Sequence, residues 1–171
     1  MPRYVALLRG VSPMNLKMPE LKACLEGAGF TNVKTLLSSG NAVFDSRAAS
    51  EPALERKCEA AMQESLGRTF HTIVRPQQAL AALIEADPFA KFKLPAGAKR
   101  VVTFMREAPA KKPKLPVELD GAELLALQDR ELLSAYVPTD KGPVFMTLIE
   151  KTFGKDVTTR TWDTVTKCSL A

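Results

Sequence analysis

The polar residues best able to do chemistry fall in two short stretches. Arg9 closes an apolar run, Asn15 follows in the next loop, and Ser38, Ser39 and Asn41 interrupt "TLLSSGNAVF" from Thr35 to Phe44. Near the other end, "TTRTW" carries Thr158, Thr159, Arg160 and Trp162. An arginine can grip a carboxylate or phosphate through two parallel hydrogen bonds, and hydroxyls beside it add donors. Arg9, Asn15, Ser39, Asn41, Thr159, Arg160 and Trp162 together could line a pocket for an anion. A more economical reading uses the same residues locally: Ser39 and Asn41 satisfy a turn, Thr159 or Thr161 caps a helix, and Arg160 pairs with a surface acid.

Other chemistries lack their parts. His71, the one histidine, sits between Phe70 and Thr72 with no nucleophile or carboxylate at a diagnostic spacing, which argues against a Ser-His or Cys-His system. Cys24, Cys58 and Cys168 are odd in number and far apart, so they form no disulfide framework and suit a reducing compartment. Cys24 and Cys58 fall on apolar helix faces, where a thiol behaves as a small hydrophobe. No Cys-x-x-Cys, histidine pair or Asp-rich loop is present, so neither a metal nor a cofactor is expected. If a proton is moved, Asp45 and Asp163 are the acids nearest the two polar stretches.

The net charge of +5 is unevenly placed. Lys91 to Lys114 carries eight basic residues against one acid, Glu107, which makes that segment +7 and leaves −2 for the remainder. Such a block could draw nucleic acid, with Phe89 and Phe92 as stacking surfaces, or serve solubility alone. Only five uninterrupted apolar residues, Tyr4 to Leu8, stand near the start, too few for a signal-peptide core, and no run is long enough to span a bilayer. A soluble, unprocessed cytoplasmic protein with no membrane partner is the expectation.

These residues need elements to hold them. The 171 residues, 46% of them hydrophobic, suffice for a packed core. Arg3–Leu8 reads as a strand, and a helix follows from Pro19 through Leu21, Cys24, Leu25 and Ala28, closed by Gly29. Val33–Ser38 and Asn41–Asp45 read as a hairpin whose two central residues are Gly40 and Asn41. A second helix runs from Glu51 to Gly67 along Leu54, Cys58, Ala61, Met62 and Ser65, and Thr69–Val74 is a fourth strand. The order βαββαβ predicts a ferredoxin-like plait. Both alternating sets of the first strand are apolar, so the helix-free face of its sheet must also be covered. A third helix from Pro76 uses Leu80, Leu83 and Ile84 and stops at Asp87-Pro88; Lys99–Arg106 is a strand; and "AELLALQDRELLSAYV" reads as a hairpin rather than one helix. Pro143 opens a helix along Phe145, Leu148, Ile149 and Phe153 that Gly154 closes, before a short strand and a helix from about Thr161. The second half therefore repeats the element order of the first in degenerate form, its first crossover reduced to the loop from Pro109 to Pro116. The expected division is 1–75, a connecting helix and basic loop over 76–98, and 99–171.

"RYVALLRGV", "MPELKACLEGAGFTNVKTLLSSGNAVF", "DPF", "KRVVTFM" and "TTRTWDTVTK" occur in the order seen in bacterial proteins of domain of unknown function 1697, which this chain resembles over nearly its whole length. The resemblance implies two tandem ferredoxin-like units in an α+β fold and no particular chemistry. The chain departs from that pattern after "LLRG", where a glycine-containing loop is replaced by Val11-Ser12-Pro13-Met14-Asn15. Proline lacks the backbone donor that a phosphate cradle needs. A second departure is "KGPVFMTL", which keeps only Lys141 and Thr147 as polar positions of a more basic stretch.

The sequence thus leads to a binding or regulatory module for an anionic ligand, either a phosphorylated or carboxylated small molecule or nucleic acid. The alternative is a small enzyme acting on such a metabolite without metal or covalent nucleophile. A third reading, an interaction scaffold, requires a large exposed apolar patch. RNA recognition through Tyr4 and Phe44 is disfavoured, because "NAVFDS" lacks the basic-Gly-aromatic pattern of such a strand. Catalytic residues, ligand identity and oligomeric state are not specified by the residues.

Overall fold

The computed structural model describes residues 1–140 and 144–171. Pro143 and Lys141, singled out above, lie outside the described residues. The chain divides into two compact units, one of residues 1–86 with 166–171 and one of residues 87–165. This differs from the expected division: the connecting helix belongs to the first unit, 87–98 to the second, and the last six residues return to the first.

In the first unit β1 (Arg3–Leu8), α1 (Met18–Gly27), β2 (Thr31–Leu36), β3 (Asn41–Asp45), α2 (Glu51–Leu66) and β4 (Thr72–Pro76) follow the βαββαβ order, with α3 (Gln77–Ala86) after them. The sheet is antiparallel in the order β2-β3-β1-β4. Pro52 enters the first turn of α2 beside the cap Ser50, whose hydroxyl accepts from the Ala53 N–H at 3.3 Å, and Gly67 ends it in the left-handed region. Tyr4, Ala6, Leu8, Ala42, Phe44 and Val74 join Leu21, Leu25, Leu54, Cys58 and Met62 in one core. The alternate residues Val5, Leu7, Val43 and Ile73 are equally buried, so the doubly apolar β1 is dry on both sides as its pattern requires.

Two local expectations are corrected. The hairpin turn is not Gly40-Asn41 but Leu37-Ser38-Ser39-Gly40, since Asn41 already pairs with Leu36. Gly40 and Leu37 take the positive φ values, +88° and +57°. The fourth strand is Thr72–Pro76 rather than Thr69–Val74, because β1 offers partners as far as Tyr4, which pairs with Pro76. A proline can end this strand because β4 is an edge and needs no second neighbour.

That edge is closed by α2. Glu51, Glu55 and Glu59 stand at four-residue spacing, hence on one face of the helix. Glu55 Oε2 accepts the Val74 N–H at 2.9 Å, and Glu59 Oε2 accepts the Thr72 N–H at 3.2 Å. Glu51 Oε1 accepts from Nη1 of the buried Arg75 at 3.2 Å. Carboxylates here take the outward amides that a neighbouring strand would otherwise satisfy.

The second unit holds β5 (Lys99–Met105), β6 (Val117–Leu119), β7 (Ala122–Gln128), β8 (Glu131–Tyr136), α4 (Val144–Phe153) and β9 (Val157–Thr161), with α5 (Trp162–Leu170) beginning in it. Its sheet is antiparallel in the order β6-β7-β8-β5-β9. Without β6, an edge strand the sequence did not suggest, the order matches that of the first sheet. "AELLALQDRELLSAYV" is indeed a hairpin, turning at Asp129 (φ +54°). Residues 106–116 contain no helix, as three prolines there predict. In the first unit α1 lies against β2 and α2 against β4, whereas in the second α4 lies against β6 and β7. Met105, Leu124, Leu132, Leu148, Ile149 and Val157 form its core.

Candidate functional site

The strand order of the first unit decides which polar residues meet. Pairing of Leu7 with Asn41 puts the end of β1 beside the β2–β3 turn, and the Leu8 N–H donates to Gly40 O at 2.9 Å. One residue on, the Arg9 N–H donates to His71 O at 2.8 Å. Arg9 therefore emerges between the Ser38-Ser39-Gly40 turn on one side and the start of β4 on the other. Arg9 is half-buried and Ser38 and Ser39 are exposed.

Asn15 and Asn41 have structural work here. Asn15 Oδ1 accepts the Ser12 N–H and its Nδ2 donates to Gly10 O, both at 2.8 Å, which closes the 10–15 loop on itself. Asn41 is fully buried, and its Nδ2 donates to Leu36 O and Ser39 Oγ, each at 2.9 Å, across the turn. The four first-unit candidates thus share one end of the sheet, with Arg9 and Ser39 on its surface and the two asparagines shaping the loops. Arg68, absent from the sequence-based set, joins them: its Nη2 donates to Asn15 O. Fifty-three positions separate that pair, and no sequence signal links them.

Thr159, Arg160 and Trp162 lie in the second unit. Thr159 Oγ1 meets Thr103 Oγ1 at 3.0 Å across the β5–β9 pair. Arg160 is buried, its Nη1 donating to Thr158 Oγ1 at 2.7 Å and to Thr159 O at 2.9 Å. Thr161, not Thr159, caps α5, its Oγ1 accepting the Thr164 N–H at 3.3 Å. Trp162 packs edge-on against Phe89, with centroids 5.0 Å apart. Phe89 is therefore buried and is no stacking surface for bases; Arg100 lies over its ring. Tyr4 and Phe44 are likewise buried core residues.

Cys24 and Cys58 are buried free thiols. Burial lifts the Cys58 thiol to about 12, and burial also raises Cys24 against an opposing hydrogen bond from Ser65. A thiol at that value is ionised to about one part in ten thousand at pH 8, and the thiolate is the reacting species. Native protein is therefore expected to leave Cys58 unmodified by iodoacetamide, with full labelling after unfolding in urea; rapid native labelling at Cys58 by peptide mass mapping would contradict this burial. No cluster of three or more ligating side chains capable of holding a metal occurs among the described residues. Among the described residues no helix is long and apolar enough to cross a membrane.

Asp45 closes the opposite end of β3. Asn32 sits in the irregular stretch of β2, at φ +49°, and its Nδ2 donates to Asp45 Oδ2 at 2.6 Å. Arg3 Nη1 donates to Asp45 Oδ1 at 2.9 Å and to Asn32 O at 3.0 Å. The Asn32 hydrogen bond, followed by that of Arg3, holds the Asp45 carboxyl below its usual range. A depressed folded-state pKa contributes stability that is present above the unfolded value of about 3.9 and lost as pH falls through the folded one. Asp45→Asn is accordingly expected to be less sensitive than the parent to acid below about pH 4, measured by urea midpoint against pH; coincident acid limbs would refute it.

Residues 1–132 match the family described as "Protein of unknown function (DUF1697)". The chain belongs to that family. The DUF1697 match takes in the "SGN-V-F" turn and Arg9 and ends before "TTRTW", so the two candidate stretches differ in standing. Among solved structures, that of conserved bacterial protein SP0830 from Streptococcus pneumoniae aligns with a TM-score of 0.72 at 20% identity, covering 99% of this chain and 97% of that one. At this identity the likeness concerns fold: a mixed α+β protein with two antiparallel sheets. No curated protein matches the chain.

Proposed function

We propose that the chain is a non-covalent binding module for a small anion, built as two tandem ferredoxin-like units, with its site at the end of the first sheet. The reading is carried by one observation: backbone bonds from Leu8 to Gly40 and from Arg9 to His71 hold an arginine beside the serine-bearing turn of the first sheet. In this reading Arg9 grips the carboxylate or phosphate, Ser38 and Ser39 donate to it, and Asn15 and Asn41 keep the loops in place. Thr159, Arg160 and Trp162 support the second sheet. The proline in the 10–15 loop favours side-chain recognition over a backbone phosphate cradle.

The enzymatic alternative is weakened by Asp45. It lies at the far end of β3 from Asn41, about 13 Å away at the rise of an extended strand. No general base reaches that far without a relay. Calorimetric titration and thermal shift against nucleotides, phosphorylated and carboxylated metabolites and single-stranded RNA are the test. A ligand whose binding is abolished by Arg9→Ala but retained by Arg160→Ala is the expected result. If no ligand in the panel depends on Arg9, the proposal fails.

A further inference from the structure

The second unit contains a cavity of about 260 Å³ whose described lining includes none of the candidate ligand-binding residues. Its floor is one row of the sheet: Tyr136 pairs with Lys99 on one side and Ala122 on the other, so the three side chains share a face. The Tyr136 ring is stacked on Phe145 of α4, with centroids 4.0 Å apart and planes within 4°. Ala122 contributes only a methyl group to the row, which leaves the space open. The wall is the β6–β7 turn, where Asp120 and Gly121 take φ of +48° and +84°, as a two-residue hairpin requires. Gly121 O accepts the Val137 N–H at 3.0 Å, tying that wall to the end of β8.

We infer that this cavity is a binding site for a small monocarboxylate with a planar apolar body. Among the described lining residues Lys99 is the cation and Asp120 the anion. Lys99 is exposed at the mouth, where its ammonium can meet a carboxylate while the aromatic wall and Ala122 receive the body. With one described charge of each sign at the rim, a singly charged ligand meets less repulsion from Asp120 than a phosphate dianion does. The volume is slightly below the roughly 300 Å³ at which ligand pockets begin, which sets the scale at a single ring. The adjoining hollow of similar size is walled by Glu118 and Glu123 and suits no anion.

Benzoate, benzamide and phenyl phosphate added to isotope-labelled protein provide the test, read by NMR at the Ala122 methyl and the Gly121 and Val137 amides. Benzoate is expected to move these signals, with benzamide and phenyl phosphate binding about tenfold or more weakly, and Lys99→Met weakening benzoate by about tenfold. Lys99 is exposed, so that variant keeps its fold. Ala122→Leu is expected to remove binding by filling the space, with circular dichroism confirming an intact sheet. No movement at these positions with about 10 mM benzoate, or benzamide binding as tightly as benzoate, would overturn the assignment.

Discussion

Adding a single methyl group at Gly40 is expected to destabilise the first unit by about 3 kcal/mol. Gly40 stands at φ +88°, where an L-residue is strained, and its carbonyl is held by the Leu8 N–H at 2.9 Å. A Cβ there would lie 2.9 Å from Val11 Cγ2 and 3.0 Å from Leu8 Cβ. The valine tip can rotate, but Leu8 Cβ is fixed to a buried central strand, so the turn itself must move. Gly67→Ala is the internal reference. That glycine also has positive φ, +72°, but nothing lies within 4 Å of the added atom, so only the backbone term of about 1 kcal/mol applies. Urea denaturation of both variants, followed by amide exchange in β1 and β3, should show Gly40→Ala the more costly by about 2 kcal/mol. Equal losses would mean that the close approach carries no energy. Because the displaced turn bears Ser38 and Ser39, Gly40→Ala should also weaken any ligand that depends on Arg9.

The second large effect is expected at Glu55. Its carboxylate is buried and accepts the Val74 N–H of the edge strand. Glu55→Ala leaves that amide dry and without its acceptor and removes packing beneath α2, a loss of about 3 kcal/mol. Glu55→Gln keeps a carbonyl oxygen in nearly the same place and should lose about 1 kcal/mol. Exchange of the Val74 amide should accelerate far more in the alanine variant than in the glutamine one. If Glu55→Ala costs under about 0.5 kcal/mol, or Val74 stays protected, α2 does not seal the edge in the way described.

How much of this was legible beforehand varies with the range of the interaction. The helices from Glu51 and from the region of Pro19 could be read because proline, capping serine and glycine act within one turn of themselves. The β7–β8 hairpin could be read because Gln128-Asp129-Arg130 breaks an otherwise apolar stripe. β6 could not, since three residues against a neighbour carry no periodicity, and neither could the shift of β4, which is set by the length of β1. Gly40-Asn41 misleads as a turn centre because Gly-Asn has a common local solution, whereas the paired strands centre the turn on Ser38-Ser39. The buried amide of Asn41 instead bridges Leu36 O and Ser39 Oγ, a bond that exists only once the strands are paired.

The sequence alone determined the βαββαβ order of the first half, the doubly buried central strand and the loop that follows β5 in place of a crossover helix. These follow from side-chain periodicity, proline and residue type, which act over a few positions. Only the tertiary structure decided that Arg9 stands beside the serine turn, that Arg160 is buried and bonds to Thr158 and Thr159, and that Lys99, Tyr136, Ala122 and Phe145 surround a space. Each of those rests on strand order and register, which are set by burial across tens of residues and leave no local trace in the chain.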